Sequence, residues 1–324
     1  MRVAVVGSGV AGLTAARALD ADGHQVTVLD KGRRPGGRLA TRELGQGARA
    51  DHGAQFFTVR SEAFGEVVAP WLADGTVWEW CRGFGSDDGH PRYAAPGGMA
   101  ALGAHMAAGL DVRQSARVNA LRRQPDGWLV SWSERTAPLG AVVERSSSFD
   151  WVVLTAPVPQ SAALVDGQAR LPEVAYSPTI SLLVALDGPP RVPYPGGAQL
   201  GDDPIWSWVA DNVAKRVSSQ PALTLHTRRE VAAARWDEGD ETLTADLLAT
   251  ARPWLGSAQP LSASLHRWRY ATPVNPYRER CWPVPGGGLV LAGDGFAGPR
   301  VEGAFLSGVA AAQAVSAADG SGYG

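Results

Sequence analysis

Gly7, Gly9 and Gly12 stand at the spacing G-x-G-x-x-G, and Asp30 closes the same stretch, VAVVGSGVAGLTAARALDADGHQVTVLD. Residues of these types bind phosphate through the backbone rather than through side chains. Gly7 permits a tight turn, Gly9 lets a pyrophosphate approach the chain with no Cβ in the way, and Gly12 lets a helix sit close to a sheet. The amides around Val10, Ala11 and Gly12, at the positive end of the helix dipole, then face the phosphates. Asp30 is placed to accept hydrogen bonds from ribose hydroxyls, and its charge opposes a 2′-phosphate; Lys31 beside it joins the candidate contacts. NAD and FAD both fit these residues.

The elements that must hold them follow from periodicity. Val3 to Val6 reads as a buried strand, a helical stripe of Gly12, Ala16 and Leu19 comes next, and Val26 to Leu29 forms a second strand ending at Asp30. At 324 residues and a net charge of -2, the chain suits one large or two medium domains, and favours neither nucleic acid nor acidic membranes as a partner. Arginine nearly replaces lysine: Lys31 and Lys215 are the only lysines among 30 basic side chains. Cys81, Cys281 and the six histidines show no metal-ligand or disulfide spacing, so no metal is expected and a reducing, cytoplasmic setting is. The C-terminal GAFLSGVAAAQAV reads as too short and too rich in small residues to anchor in a bilayer.

The fold expected is α/β: a Rossmann-like nucleotide domain assembled from both ends of the chain, with an inserted domain of antiparallel β-sheet plus helix. The expected division is 1–60, 96–165 and 286–324 for the nucleotide domain, and 61–95 and 166–285 for the inserted substrate domain. Pro138 to Ser148 reads as a hairpin loop; TISLLVALDG, IWSWVADN, ALTLHT and SASLHRWRYA read as strands of the inserted sheet; Glu241 to Trp254 reads as helix.

The segment GLVLAGDGFAGPRVEGAFLSGVAAAQAV resembles the C-terminal flavin motif of two-domain FAD oxidoreductases, a group that includes amine oxidases and p-hydroxybenzoate hydroxylase. The resemblance implies that Gly293 and Asp294 bind the ribityl chain or pyrophosphate. It also implies that the helix beginning at Val301, Glu302 and Ala304 points its N-terminus at the flavin ring. Glu302 would oppose that field if it faced the ring, so it is expected to turn away or to hydrogen-bond. PGGRLAT is similar to the family's phosphate-passing segment, with Gly37 allowing close passage and Arg38 reaching phosphate or ribose. DHGAQFFT is similar to the stretch beside the isoalloxazine, with Gly53, Ala54 and Gln55 as contacts, and Val118 stands where the family offers a backbone contact to adenine. Cysteine is absent from GDGF, so non-covalent FAD is implied.

Taken together, DKGRRPGGRLATR, ADHGAQFFTVR, PGGMAAL, WVVLTAPVPQ, ALTLHT, HRWRYA and GDGFAGPRVEGAFLSG resemble the renalase-type flavoenzymes over nearly the whole chain. That resemblance implies oxidation of 2- or 6-dihydro isomers of NAD(P)H to NAD(P)+, with O2 reduced to H2O2. Hydride loss from a dihydropyridine yields an aromatic pyridinium directly, so no protein base is required and no catalytic side chain is assigned. Candidate pocket residues are Phe57, Thr58, Trp206, Trp208, His226, Tyr270 and Trp282, each of which also suits a core position. An amine oxidase of the same fold is the alternative, weakened by the absence of lysine in SLHRWRYA. A flavin-binding sensor without turnover is a second. The sequence leaves the oligomeric state open.

Overall fold

The computed structural model describes residues 1–85, 87–135, 140–296 and 298–320. The chain divides into two compact units: Met1–Gly37, Gly103–Ala175 and Pro273–Gly324 form the first, and Arg38–Leu102 with Tyr176–Thr272 the second.

The first unit is built on a six-stranded sheet. Its order is Trp282–Pro283, Leu289–Leu291, Trp151–Leu154, Arg2–Val6, Gln25–Leu29 and Val112–Arg113. All neighbours run parallel except the edge strand Trp282–Pro283. The continuous apolar runs VAVV and WVVL suit central strands covered on both faces, and Val3, Val5, Val153 and Val290 are fully buried. Helix Val10–Ala21 places Ala15, Ala16 and Leu19 in that core, and helix Val301–Gly320 adds Ala311, Ala312 and Val315. A separate antiparallel sheet joins Ala116–Gln124, Gly127–Arg135 and Val142–Phe149. Much of the expected 138–148 loop is therefore strand: Val142 to Phe149 pairs residue by residue with Arg135 to Trp128, and backbone pairing overrides the polar composition. Pro138 and Leu139 lie outside the described residues.

Helix Val301–Gly320 contains a window, Val301–Ala318, that is apolar and long enough to cross a membrane by length and composition. Its small residues instead serve close packing. A Cβ on Gly308 would come within 2.4 Å of the Ala11 carbonyl, so this helix and Val10–Ala21 meet backbone to backbone.

The second unit carries a five-stranded sheet ordered Gly197–Gln199, Trp206–Asp211, Ala222–Thr227, Tyr176–Leu186 and Pro260–Pro273. Ile180, Leu182, Leu223, Leu225 and Val209 face a core closed by Leu243 and Leu247 of helix Asp240–Thr250. The expected helix 241–254 is two, because Arg252–Leu255 starts afresh with Pro253 in its first turn. Two hairpins, Thr41–Gly45 with Ala48–Asp51 and Trp78–Cys81 with Arg92–Ala94, complete the unit.

The unit boundaries differ from the expected division. Residues 38–60 and 96–102 belong with the second unit because the hairpin 41–51 makes its bonds there: Thr224 Oγ1 donates to the Asp51 carbonyl, Ser181 Oγ donates to that of His52, and Ala48 packs on Ala185 and Ala222. Residues 166–175 and 273–285 belong with the first. Ala175 bonds Asn275 Oδ1 and the Val274 amide, and Trp282–Pro283 extends the first sheet.

Candidate functional sites: a nucleotide cradle and a buried polar cluster

In the first unit the chain leaves strand Arg2–Val6 at Gly7, whose φ of +110° lies in the region that favours glycine. A Cβ there would lie 2.5 Å from Thr155 Oγ1, and this hydroxyl donates to the carbonyls of Val6 and Gly7, pinning the turn. Gly12 has no room at all: a Cβ would sit 1.9 Å from the Gly7 carbonyl oxygen. Gly9, the N-cap of helix Val10–Ala21, is the opposite case. It has no side-chain cap, and a Cβ on it would meet nothing within 4 Å. The space above Gly9 is thus open where the first amides of a helix lack intrahelical acceptors, which is the geometry a phosphate requires.

The segment Pro35-Gly36-Gly37 passes directly over this turn. Gly36 bridges to Gly9, the Gly36 amide donates to the Ser8 carbonyl at 2.7 Å, and a Cβ on Gly37 would lie 3.2 Å from the Gly9 Cα. Asp30 is held from inside: Oδ2 accepts from the Ser8 amide at 2.5 Å and its hydroxyl at 2.8 Å, and Oδ1 accepts from the Gly32 amide at 2.6 Å. Oδ1 retains a lone pair for a ribose hydroxyl. Lys31 donates to Gln160 Oε1, and burial, then the Arg117 charge, pull its pKa down against the opposing effect of Asp30. Val118 is buried beside a register shift in the three-stranded sheet.

At the chain's far end, Gly293 has φ +137° and its amide donates to Ser307 Oγ at 2.8 Å. A Cβ on Gly303 would lie 2.2 Å from the Gly298 carbonyl, so the loop folds tightly onto the first turn of helix Val301–Gly320. Asp294 and Glu302 are both buried, and Ala304 donates its amide to the Arg300 carbonyl. Trp282 also belongs to this unit, edge-to-face against Tyr277. The open cradle at Gly9, the anchored acid and the glycine-built entry to a second helix fit a dinucleotide such as FAD.

The second unit gathers a buried polar cluster that sequence reading found only in part. Asp51 and Lys215 are both fully buried, with Nζ 3.1 Å from Oδ2. Asp51 Oδ1 accepts from Thr41 Oγ1 at 2.6 Å and the Met99 amide at 2.9 Å, and Asn212 Oδ1 receives the Asp51 amide. Lys215 Nζ also donates to Gln55 Oε1 at 2.9 Å and lies 5.5 Å from the centre of the Trp80 ring. Burial pulls the Lys215 pKa down, and the Asp51 charge and hydrogen bond push it back up. The Gln55 amide nitrogen donates to the carbonyls of Asp51 and Gly53, at 2.9 and 3.1 Å, and approaches His226 Nε2 at 3.4 Å.

Three histidines are kept neutral nearby. His52, buried and stacked on Trp268 at 5.4 Å, is pulled from 6.5 to about 3 by burial first, then by His266, Arg42 and His226. His226 falls to about 3 through burial and then Lys215, opposed by a hydrogen bond to the His52 backbone. His266 falls to about 4 through burial and then Arg42, whose guanidinium lies 3.1 Å from Nδ1. Arginine only donates, so Nδ1 is the acceptor and the proton of His266 sits on Nε2.

The other candidate pocket residues of this unit are dispersed. Phe57 is core, against Phe64 and Tyr93. Trp206 and Trp208 do not share a face: a register shift separates them, sending Trp206 into the sheet-helix core and Trp208 into a cluster with Trp80, Phe56 and Phe84. Tyr270 is half-buried, edge-to-face on Tyr176, and Thr58 is half-buried beside Phe57. Arg38 donates to the carbonyls of Tyr270 and Ala271. Gly53 admits no side chain, since a Cβ would lie 2.0 Å from the Arg38 carbonyl, and that same carbonyl takes the Ala54 amide at 2.9 Å. The Ala54 N–H is therefore already committed inside the protein.

Sequence reading missed Ser8 and Thr155, which pin the cradle, and the Asp51–Lys215 pair. The rarity of lysine was the available signal for Lys215.

Fold and cradle define a dinucleotide-binding α/β protein. The family model for flavin-containing amine oxidoreductases matches residues 59–316, and that for the NAD(P)-binding Rossmann-like domain matches 5–69. The chain belongs to the flavin-containing amine oxidoreductase family, and its cofactor is accordingly FAD. A hydroxyneurosporene desaturase of Rubrivivax gelatinosus is 48% identical over 78 residues, 24% of this chain and 14% of that protein. The matched stretch is thus a small part of that relative. Two solved structures share the fold over the whole chain. A "Putative protoporphyrinogen oxidase" from Exiguobacterium sp. 255-15 has TM-score 0.71 and 13% identity, covering 97% of this chain and 98% of that one. An oxidoreductase from Methanosarcina mazei has TM-score 0.64 and 15% identity, covering 97% and 100%.

Proposed function

We propose that the protein is a cytoplasmic FAD-dependent oxidase acting on 2- or 6-dihydro isomers of NAD(P)H, releasing NAD(P)+ and passing the electrons to O2 as H2O2. The similarity of DHGAQFFT and HRWRYA to renalase-type enzymes motivates the reading. The structural observation that supports it most is the state of the second unit's histidines. His52, His226 and His266 are held neutral at physiological pH; His52 stacks on Trp268 and His266 meets the same ring at a tilt. Oxidation of a dihydropyridine produces a cation without any proton leaving carbon, so aromatic walls and uncharged imidazoles suit it and a cationic acid would oppose it.

Bound FAD supplies the hydride acceptor in this reading. The chain's own contribution is to hold the cofactor through the Gly7–Gly12 turn, Asp30 and the Gly293–Ala304 segment, and to orient the substrate. The family also favours a second reading, oxidation of an amine. Peroxide release measured with 6-dihydro-NAD(P), NADH and a polyamine panel separates the two. Turnover of the dihydro isomers alone is the expected result, and turnover of amines alone overturns the proposal.

A further inference from the structure

Trp78 and Trp80, on the hairpin strand Trp78–Cys81, line a cavity of about 380 Å³ whose other walls come from the segment 192–196 and from the turn after strand Trp206–Asp211. Every wall lies in the second unit. The volume is that of a small-ligand site, and the frame is fixed before any ligand arrives. Trp80 Nε1 donates to the Pro195 carbonyl at 2.9 Å, and the Asp211 amide donates to the Gly196 carbonyl at 2.9 Å. Gly196 leaves no slack, since a Cβ on it would lie 2.2 Å from the Ala214 Cβ.

The lining carries a single charge. Val192, Pro195 and Ala214 are aliphatic, the Tyr194 side chain is 92% exposed, and Asp211 is half-buried. Asp211 Oδ1 accepts from the amides of Val213 and Ala214, at 2.8 and 3.4 Å, which sets the direction of the carboxylate. Oδ2 has no hydrogen-bond or ion-pair partner among the described residues. Burial pushes the Asp211 pKa up against those two amides, and no cationic side chain helps to hold the charge. The neighbouring cations are engaged elsewhere: Lys215 pairs with Asp51, and Arg216 lies over the Trp78 ring at 3.9 Å. A half-buried carboxylate with a free oxygen and no counter-charge suits a positively charged ligand.

The walls decide which cation. A metal ion needs several hard oxygen ligands, whereas one carboxylate among indole, phenol and aliphatic surfaces supplies too few. No group of histidine, cysteine, aspartate and glutamate side chains among the described residues could hold one. An organic ammonium meets both features at once, its charge on the carboxylate and its alkyl groups on aromatic faces. We propose that this cavity binds a small alkylammonium cation, with Asp211 facing the charge and Trp78 and Tyr194 enclosing the alkyl groups. The site depends on neither the flavin assignment nor the substrate reading above.

The test is calorimetric titration of the full chain, with its cofactor bound and at constant ionic strength, with choline and with its neutral isostere 3,3-dimethylbutan-1-ol. Saturable binding of choline is expected, with the isostere at least tenfold weaker. Asp211→Asn keeps an oxygen for the Val213 and Ala214 amides, so the turn is retained while the charge is lost; choline affinity should fall at least tenfold. Tyr194→Ala removes an exposed ring with no cost to the core and should weaken choline about threefold, the scale of an exposed cation–π contact. Circular dichroism and thermal melting confirm that both variants are folded. No saturable binding of choline to the wild type, equal binding of the isostere, or wild-type affinity in either folded variant overturns the proposal.

Discussion

At the scale of single residues, the two glycines at the mouth of the cradle separate fold from binding. A Cβ on Gly12 would strike the Gly7 carbonyl at 1.9 Å, backbone against backbone, whereas one on Gly9 would enter open space. Gly12→Ala should therefore destabilise the chain by about 1–3 kcal/mol, as overpacking does. Gly9→Ala should leave stability within about 0.5 kcal/mol of wild type and weaken FAD binding more than tenfold, because the methyl occupies the phosphate's approach. Urea unfolding of the apoproteins and FAD titration check both, and equal destabilisation by the two would contradict the geometry. The histidines give a pH dependence with a definite sign. His52 and His226 are depressed from 6.5 to about 3, so both are neutral in the folded chain while the unfolded chain protonates below about 6.5. The unfolded state then binds more protons, so stability is full above 6.5 and is lost as pH falls toward 3, by up to ~1.4 kcal/mol per unit for each histidine. Unfolding midpoints at pH 7.5 and pH 5 should show the loss, and His52→Phe should make the slope shallower. The glycine turn was legible from sequence because its contacts are local. Lys215 was not, because its partners Asp51 and Gln55 are 164 and 160 residues away and only the folded sheet brings them together.

At the scale of elements, strand and helix types followed from periodicity, but their irregularities did not. The register shift between Trp206 and Trp208 sends two same-parity tryptophans into different clusters, which strict alternation does not foresee. Likewise the serine-rich stretch before Phe149 pairs as a strand because its neighbour Gly127–Arg135 supplies the ladder. The small-residue helix at the chain's end has a testable reason for its composition. Gly308→Leu would drive a side chain into the Ala11 carbonyl and the Thr14 Cβ, 2.4 and 2.9 Å from the first added atom. Helices Val10–Ala21 and Val301–Gly320 should separate, at a cost of about 1–3 kcal/mol, lowering the melting temperature. A variant that melts like the wild type would show that this contact does not hold the unit together.

At the scale of the whole molecule, the discontinuous organisation was legible because both halves of the nucleotide unit carry glycine-marked turns, at Gly7–Gly12 and Gly293–Gly303. The unit boundaries were not, since the hairpin Thr41–Asp51 is assigned by partners such as Thr224 and Ser181 that lie far along the chain. The family establishes a flavin oxidoreductase, and the substrate proposed for it is a dihydronicotinamide that yields hydride without a base. The most direct measurement is anaerobic mixing of the FAD-loaded protein, separately, with 6-dihydro-NAD(P), NADH and a polyamine panel, following the flavin absorption band. Rapid bleaching by the dihydro isomers and not by amines is the outcome this account predicts; bleaching by amines alone, with none from the dihydro isomers, would contradict it.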